Sequence, residues 1–153
     1  MIIEVTNQKS QIAVAINKEN ATMAEISVLA TEGLQKVFGF LAQHGAEIAG
    51  APYLAYKNGN ADFSQFDVEL GIPIHEEIAV SGEFFMSKTC EGKAITAMHK
   101  GAYKDIDVAY TALMEYMSEH KLESTGVYYD YYISNPAETP ENELLTQVVF
   151  PIK

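Results

Sequence analysis

Apolar residues recur along this chain with two periods, and the periods alternate twice in the same order. Q-I-A-V-A-I (11–16) has the apolar, β-branched content of a strand. Leu34, Val37, Phe38 and Leu41 fall three and four apart, which predicts an amphipathic helix over about 26–44 with Gly45 as its stop. Strand patterns return near 51–57 and 65–74. In the second half, F-F-M-S (84–87) and A-I-T-A-M-H (94–99) predict two strands paired across the turn that holds C-E-G-K. Ile106, Ala109, Tyr110, Leu113, Met114 and Met117 predict a helix over about 104–120. Strands are expected again near 127–134 and 144–151, separated by the loop formers N-P-A-E-T-P-E-N. The first ten residues fit either an extra strand or a loose arm.

The two halves also match residue by residue. F-L-A-Q-H-G-A-E-I-A-G-A-P-Y-L-A-Y (40–56) aligns without gaps on Y-M-S-E-H-K-L-E-S-T-G-V-Y-Y-D-Y-Y (116–132) at an offset of 76 residues. His44/His120, Glu47/Glu123, Gly50/Gly126, Tyr53/Tyr129 and Tyr56/Tyr132 are identical across it. The expectation is one α+β domain over residues 1–153, built from a duplicated strand-helix-strand-strand unit (about 10–76 and 78–152). Its antiparallel sheet would carry two helices on one face, and the seam between the halves is a natural groove for a small molecule.

Composition narrows the functions. A hydrophobic content of 48% supports a packed core and argues against disorder. The formal charge of −11, with ten scattered Lys and Arg, lacks the basic footprint that a duplex binder needs, so no direct nucleic-acid contact is expected. No apolar run is long enough to span a membrane and the N-terminus lacks the form of a secretory signal. A lone cysteine suits a reducing cytoplasm, and Cys90 in T-C-E-G-K reads as an incidental surface thiol. His44, His75, His99 and His120 are dispersed and lack ligand spacing, so no metal is expected. No nucleotide-binding pattern is present, and no cofactor is expected. H-E-E (75–77) reads as a solvated linker between the halves.

One stretch resists a purely structural reading. V-Y-Y-D-Y-Y-I (127–133) sets an aspartate among four tyrosines in a strand. A carboxylate there is costly unless it is paired or reaches water. Alternation places Tyr128, Asp130 and Tyr132 on one face and Tyr129, Tyr131 and Ile133 on the other. We assign the first set to the groove and the second to the core under the helices. Asp130 aligns with Leu54 of the first half, so a carboxylate is not a requirement of the fold.

Four segments in order resemble a known family. H-K-G-A-Y (99–103) is similar to its H-x-G-P-Y lead into the second helix, and F-D-V-E-L-G-I-P-I (66–74) to its strand ending in G-x-P-V. Y-D-Y-Y-I-S-N-P (129–136) and the following P-E-N-E-L-L-T-Q-V resemble W-E-x-Y-L-x-D-P and P-E-E-L-x-T-E-I. The family is the GyrI-like small-molecule-binding domain, also called the AraC-type effector-binding domain, and the resemblance spans about 10–152. It implies a duplicated domain that binds drug-like, often aromatic and cationic molecules in a central groove. Many members are fused to DNA-binding domains and switch transcription. Others stand alone, as this chain is expected to do, and the DNA gyrase inhibitory protein is one of them.

On that resemblance Asp130 stands where the family carries a glutamate, and it is expected to anchor a ligand cation within an aromatic cage. Tyr103, Tyr128, Tyr132 and Tyr56 are the expected walls, with Tyr103 able to donate a hydrogen bond to the ligand or to Asp130. Phe66 and His99 are lesser candidates, more readily explained by packing and by structural hydrogen bonding. A branch of the family hydrolyses strained electrophilic toxins. If this chain were an enzyme, Asp130 and Tyr103 would be its acid–base pair, though the shorter aspartate weakens proton-transfer reach. A third alternative is a modulator that binds a protein partner, as the gyrase inhibitor does.

Overall fold

A computed structural model of the chain describes residues 2–62, 64–135 and 138–153, so the loop formers Pro136 and Ala137 lie outside the described residues. The elements in chain order are β1 (Ile3–Gln8), β2 (Ile12–Thr22), α1 (Met23–Val28), a π turn (Leu29–Gly33) and α2 (Leu34–Gln43). After these come β3 (Tyr53–Lys57), β4 (Gln65–Pro73), β5 (Phe85–Lys88), β6 (Gly92–Lys100), α3 (Asp107–Glu119), β7 (Tyr128–Tyr132) and β8 (Leu145–Pro151). The strands form one antiparallel eight-stranded sheet in the order β1-β6-β8-β7-β3-β4-β2-β5. With its helices on one face, the fold is α+β. Among the described residues no helix is long and apolar enough to cross a membrane.

The strand order is symmetric, because exchanging β1–β4 for β5–β8 reproduces it. At the centre β3 pairs with β7, and Leu54 lies opposite Asp130. The two outer strands are exchanged between the halves. β5 pairs with β2, and β1 pairs with β6. This corrects the expected pairing of 84–87 with 94–99, whose strands lie at opposite ends of the sheet. It also settles the N-terminal residues as a strand.

The first helix starts earlier than its apolar spacing indicates. Thr22 accepts from the Glu25 amide while the Glu25 carboxylate accepts from the Thr22 amide, a capping box signalled by T-M-A-E. Both helices end alike. The Nδ1 of His44 and of His120 lies 2.9 and 3.0 Å from the carbonyl four residues earlier, and each ring lies against that residue's ring, tilted on Phe40 and stacked on Tyr116. Gly45 follows at φ +63°, the left-handed stop expected of it. The apolar stripes centre on Val37 and Leu113, both fully buried. Phe38 (39% exposed) and Met114 (50% exposed) lie one residue, about 100°, further round and leave the predicted stripes.

The helices cover the sheet face that carries Val14, Leu54, Leu70, Ile72, Ile95, Val148 and Phe150. Tyr128 and Tyr132 pack against this same core, so the set holding Asp130 faces the helices. Tyr129 and Tyr131 lie on the opposite face with Tyr53, Ala13, Ala55, Cys90, Ala94 and Val149, and Ile133 is exposed. The face assignment made from the sequence is thus inverted, since alternation separates two faces without saying which one meets the helices. Cys90 is also corrected: it is buried, not a surface thiol, and burial pushes its pKa up to about 11.

Small residues let tyrosines sink into that second face. A Cβ on Gly71 would come within 2.5 Å of the Tyr53 hydroxyl and 2.6 Å of its ring, and Tyr53 is itself fully buried. Gly71→Ala is expected to destabilise the fold by about 2 kcal/mol, since overpacking forces rotamer and backbone shifts. Urea denaturation would show this, and an unchanged midpoint would mean that Tyr53 can move aside.

Candidate functional site

β7 brings Asp130 to the middle of the sheet, beneath α3 and beside β3. Its carboxylate is 4% exposed and accepts hydrogen bonds from two phenols. Tyr56 of β3 donates at 3.0 Å, and Tyr110 of α3 donates to the other oxygen through a short contact. Burial is the largest influence on the carboxyl group and pushes its pKa up to about 6. The hydroxyls of Tyr110 and Tyr56, and the nearby His99, pull it partway back. The phenols respond in turn: burial first, then the charge of Asp130, hold Tyr56, Tyr110 and Tyr132 well above the usual tyrosine range.

The remaining candidates surround this pair of hydrogen bonds. Tyr132 packs next along the strand, and Tyr103 meets it edge-on, with ring centres 5.5 Å apart at 70°. Tyr103 does not bond Asp130; the carboxylate is occupied by Tyr110 and Tyr56 instead. Phe66 stands edge-on to Tyr56 at 5.6 Å. Tyr128 lies opposite Tyr56 and packs on Phe150 at 4.7 Å, on the side away from Tyr103. His99 is buried, with Nε2 2.8 Å from the Ala102 carbonyl, so Nε2 carries the proton and shapes the turn into α3. Tyr110 is the residue that sequence reasoning missed. Its ring satisfies the apolar stripe of α3, and nothing in the helical spacing distinguishes a phenol that packs from one that also donates.

The site is closed. Two surface depressions flank the domain without including Asp130. One, of about 400 Å³, is lined by Ala102, Tyr103, Lys104, Thr139, Glu141 and Leu144, and so adjoins the aromatic cluster through Tyr103. The other, of about 680 Å³, lies between β2 and the α1–π segment.

With this geometry in place, comparison with known proteins is decisive for the family. Residues 3–153 match the model of the GyrI-like small-molecule-binding domain. The chain belongs to that family. No curated protein matches it by sequence. Among solved structures, the GyrI-like chain is similar to the C-terminal domain of EcmrR, with a TM-score of 0.86 at 17% identity, covering 99% of this chain and 97% of that one. SAV2435 bound to tetraphenylphosphonium gives 0.68 at 14% identity over 100% and 94%. A hydrolase from Listeria innocua gives 0.62 at 9% identity over 99% and 91%. At these identities the likenesses establish a shared GyrI-like fold. The match also covers 57% of EcmrR in its complex with DNA.

Proposed function

We propose that this GyrI-like domain binds aromatic cations in a groove that opens at the seam between its two halves, with Asp130 as the charged anchor and Tyr56, Tyr103, Tyr110 and Tyr132 as its walls. One observation carries the reading. Asp130 is a buried carboxylate in a tyrosine cluster, and among the described residues it has no ion pair with Lys or Arg. Two phenols stabilise its charge only partly, and a desolvated cation would complete the neutralisation while its rings met aromatic faces. The tetraphenylphosphonium on SAV2435 supplies a probe of the right chemistry. The EcmrR likeness supports a sensing role, in which ligand occupancy of such a domain is read by a transcription apparatus. The acidic surface leaves DNA contact to another component.

Tetraphenylphosphonium is expected to bind wild type, and Asp130→Asn to weaken it at least about 30-fold, as removing one partner of a buried charge pair does. Calorimetric titration reads this directly. Equal affinity for both proteins would remove Asp130 from the anchor role.

A hydrolytic role is the second reading, favoured by the Tyr110 hydroxyl lying directly on Asp130. Such an acid–phenol pair is within proton-transfer reach. Turnover of an activated ester or cyclopropane probe, lost in Asp130→Asn, would establish it. Probes left intact by wild type would leave binding alone.

A further inference from the structure

We propose that Thr146, with His99 beside it, forms a second polar subsite of the same groove, which receives an N–H or O–H group carried by the cationic ligand. The inference rests on the binding reading above and specifies the ligand further.

Thr146 is fully buried, and among the described residues its hydroxyl is the buried side-chain polar atom that finds no partner. Buried hydroxyls are nearly always bonded, and one that is not calls for a physical reason. Packing does not supply it. Valine has the same shape, and Val148 and Val149 fill neighbouring places on the same strand.

The register places Thr146 beside the site. Thr146 on β8 lies opposite Tyr132 on one side and opposite His99 on the other. Directly paired residues share a face, so all three face the helices together with Asp130. Asp130 is opposite Val148, which makes Thr146 its diagonal neighbour, roughly 7 Å away along the sheet. The Nε2 proton of His99 is committed to the Ala102 carbonyl, which leaves Nδ1 as the second polar atom of the ring. A hydroxyl thus stands one strand from the carboxylate, with the imidazole on the strand beyond it. Tyr103, exposed and edge-on to Tyr132, is the side chain between this cluster and the 400 Å³ depression. A ligand that moves Tyr103 aside would meet Tyr132, Thr146 and Asp130 in one pocket.

The ligand class follows: a flat aromatic cation bearing amino or hydroxyl groups, preferred over a cation clothed only in hydrocarbon. The test compares proflavine, a diaminoacridinium, with tetraphenylphosphonium on the full chain by calorimetry. Thr146→Val is expected to weaken proflavine about tenfold, to leave tetraphenylphosphonium within twofold, and to raise the melting temperature of the free protein. Thr146→Ser should keep the proflavine affinity. An equal loss for both probes, an unchanged proflavine affinity, or a lower melting temperature in Thr146→Val would each overturn the subsite. Tetraphenylphosphonium binding without proflavine binding to wild type overturns the subsite alone. Failure of both probes on wild type overturns the groove reading and the subsite with it.

Discussion

At pH 8 Asp130→Asn is expected to be more stable than wild type, by about 3 kcal/mol, and the gain should vanish toward pH 4. The folded carboxyl group ionises near pH 6, whereas its ordinary value is 3.8. Between those values the folded chain holds a proton that the unfolded chain has released. Stability from this group is therefore fully present below about pH 4 and is lost as pH rises through 6. A shift of roughly two units corresponds to about 3 kcal/mol, since one unit is about 1.4 kcal/mol. For a domain of this size that is about 6–12 °C in melting temperature. The groups that face Asp130 are Tyr56, Tyr110, Tyr132 and His99; the tyrosines stay neutral across the range. The measurement is a pair of melting curves at pH 4, 6 and 8. A mutant less stable than wild type at pH 8 would mean that the carboxylate is a structural keystone for its two phenols. The expected pattern, with binding weakened and the fold strengthened, is that of a charge held at a cost to stability for the sake of a ligand.

Much of this was legible in the sequence, for reasons that separate local from distant physics. Helix positions follow from three-to-four spacing, and the 76-residue echo carried His44 and His120 to matching helix ends. The interior of the stripe was also readable, with Val37 and Leu113 at its centre. The exchange of β1 and β5 was not, because strand pairing between residues 70–94 apart leaves no trace in local alternation. Nor was the face of Tyr128, Asp130 and Tyr132, since a period of two is blind to which side the helices take. Asp130 stood out as an acid in an apolar strand. Glu69, in F-D-V-E-L-G, carries the same signal. Tyr110 sent none, because its ring obeys the packing pattern and only its hydroxyl departs from it.

Glu69→Ala is expected to cost about 3 kcal/mol, the counterpart on the opposite sheet face to the gain at Asp130. Glu69 is 6% exposed, yet its carboxylate is fully engaged. One oxygen accepts from the Tyr53 hydroxyl and the Ser87 hydroxyl, each at 2.6 Å, and the other takes Lys57 Nζ at 3.1 Å. Here the chain itself already supplies a cation at the edge of the site, which is what distinguishes Glu69 from Asp130. Removing the carboxylate strands the phenol of a fully buried tyrosine, a loss of about 1–3 kcal/mol. A cavity and the loss of the Ser87 bond add to it. Lys57, 41% exposed at its side chain, can turn to water and contributes less. The pairing is testable by a double-mutant cycle. Tyr53→Phe alone should cost about 2 kcal/mol, and close to nothing in the Glu69→Ala background, because each change removes the same bond. Costs that simply add would show the two groups to be independent. Ser87 lies on the edge strand β5, and β2 alone pairs with that strand. Hydrogen exchange in β5 should therefore accelerate in Glu69→Ala before exchange in β7 or β8 does. Acceleration spread evenly over the sheet would instead make Glu69 a contributor to global stability with no special hold on the exchanged strand.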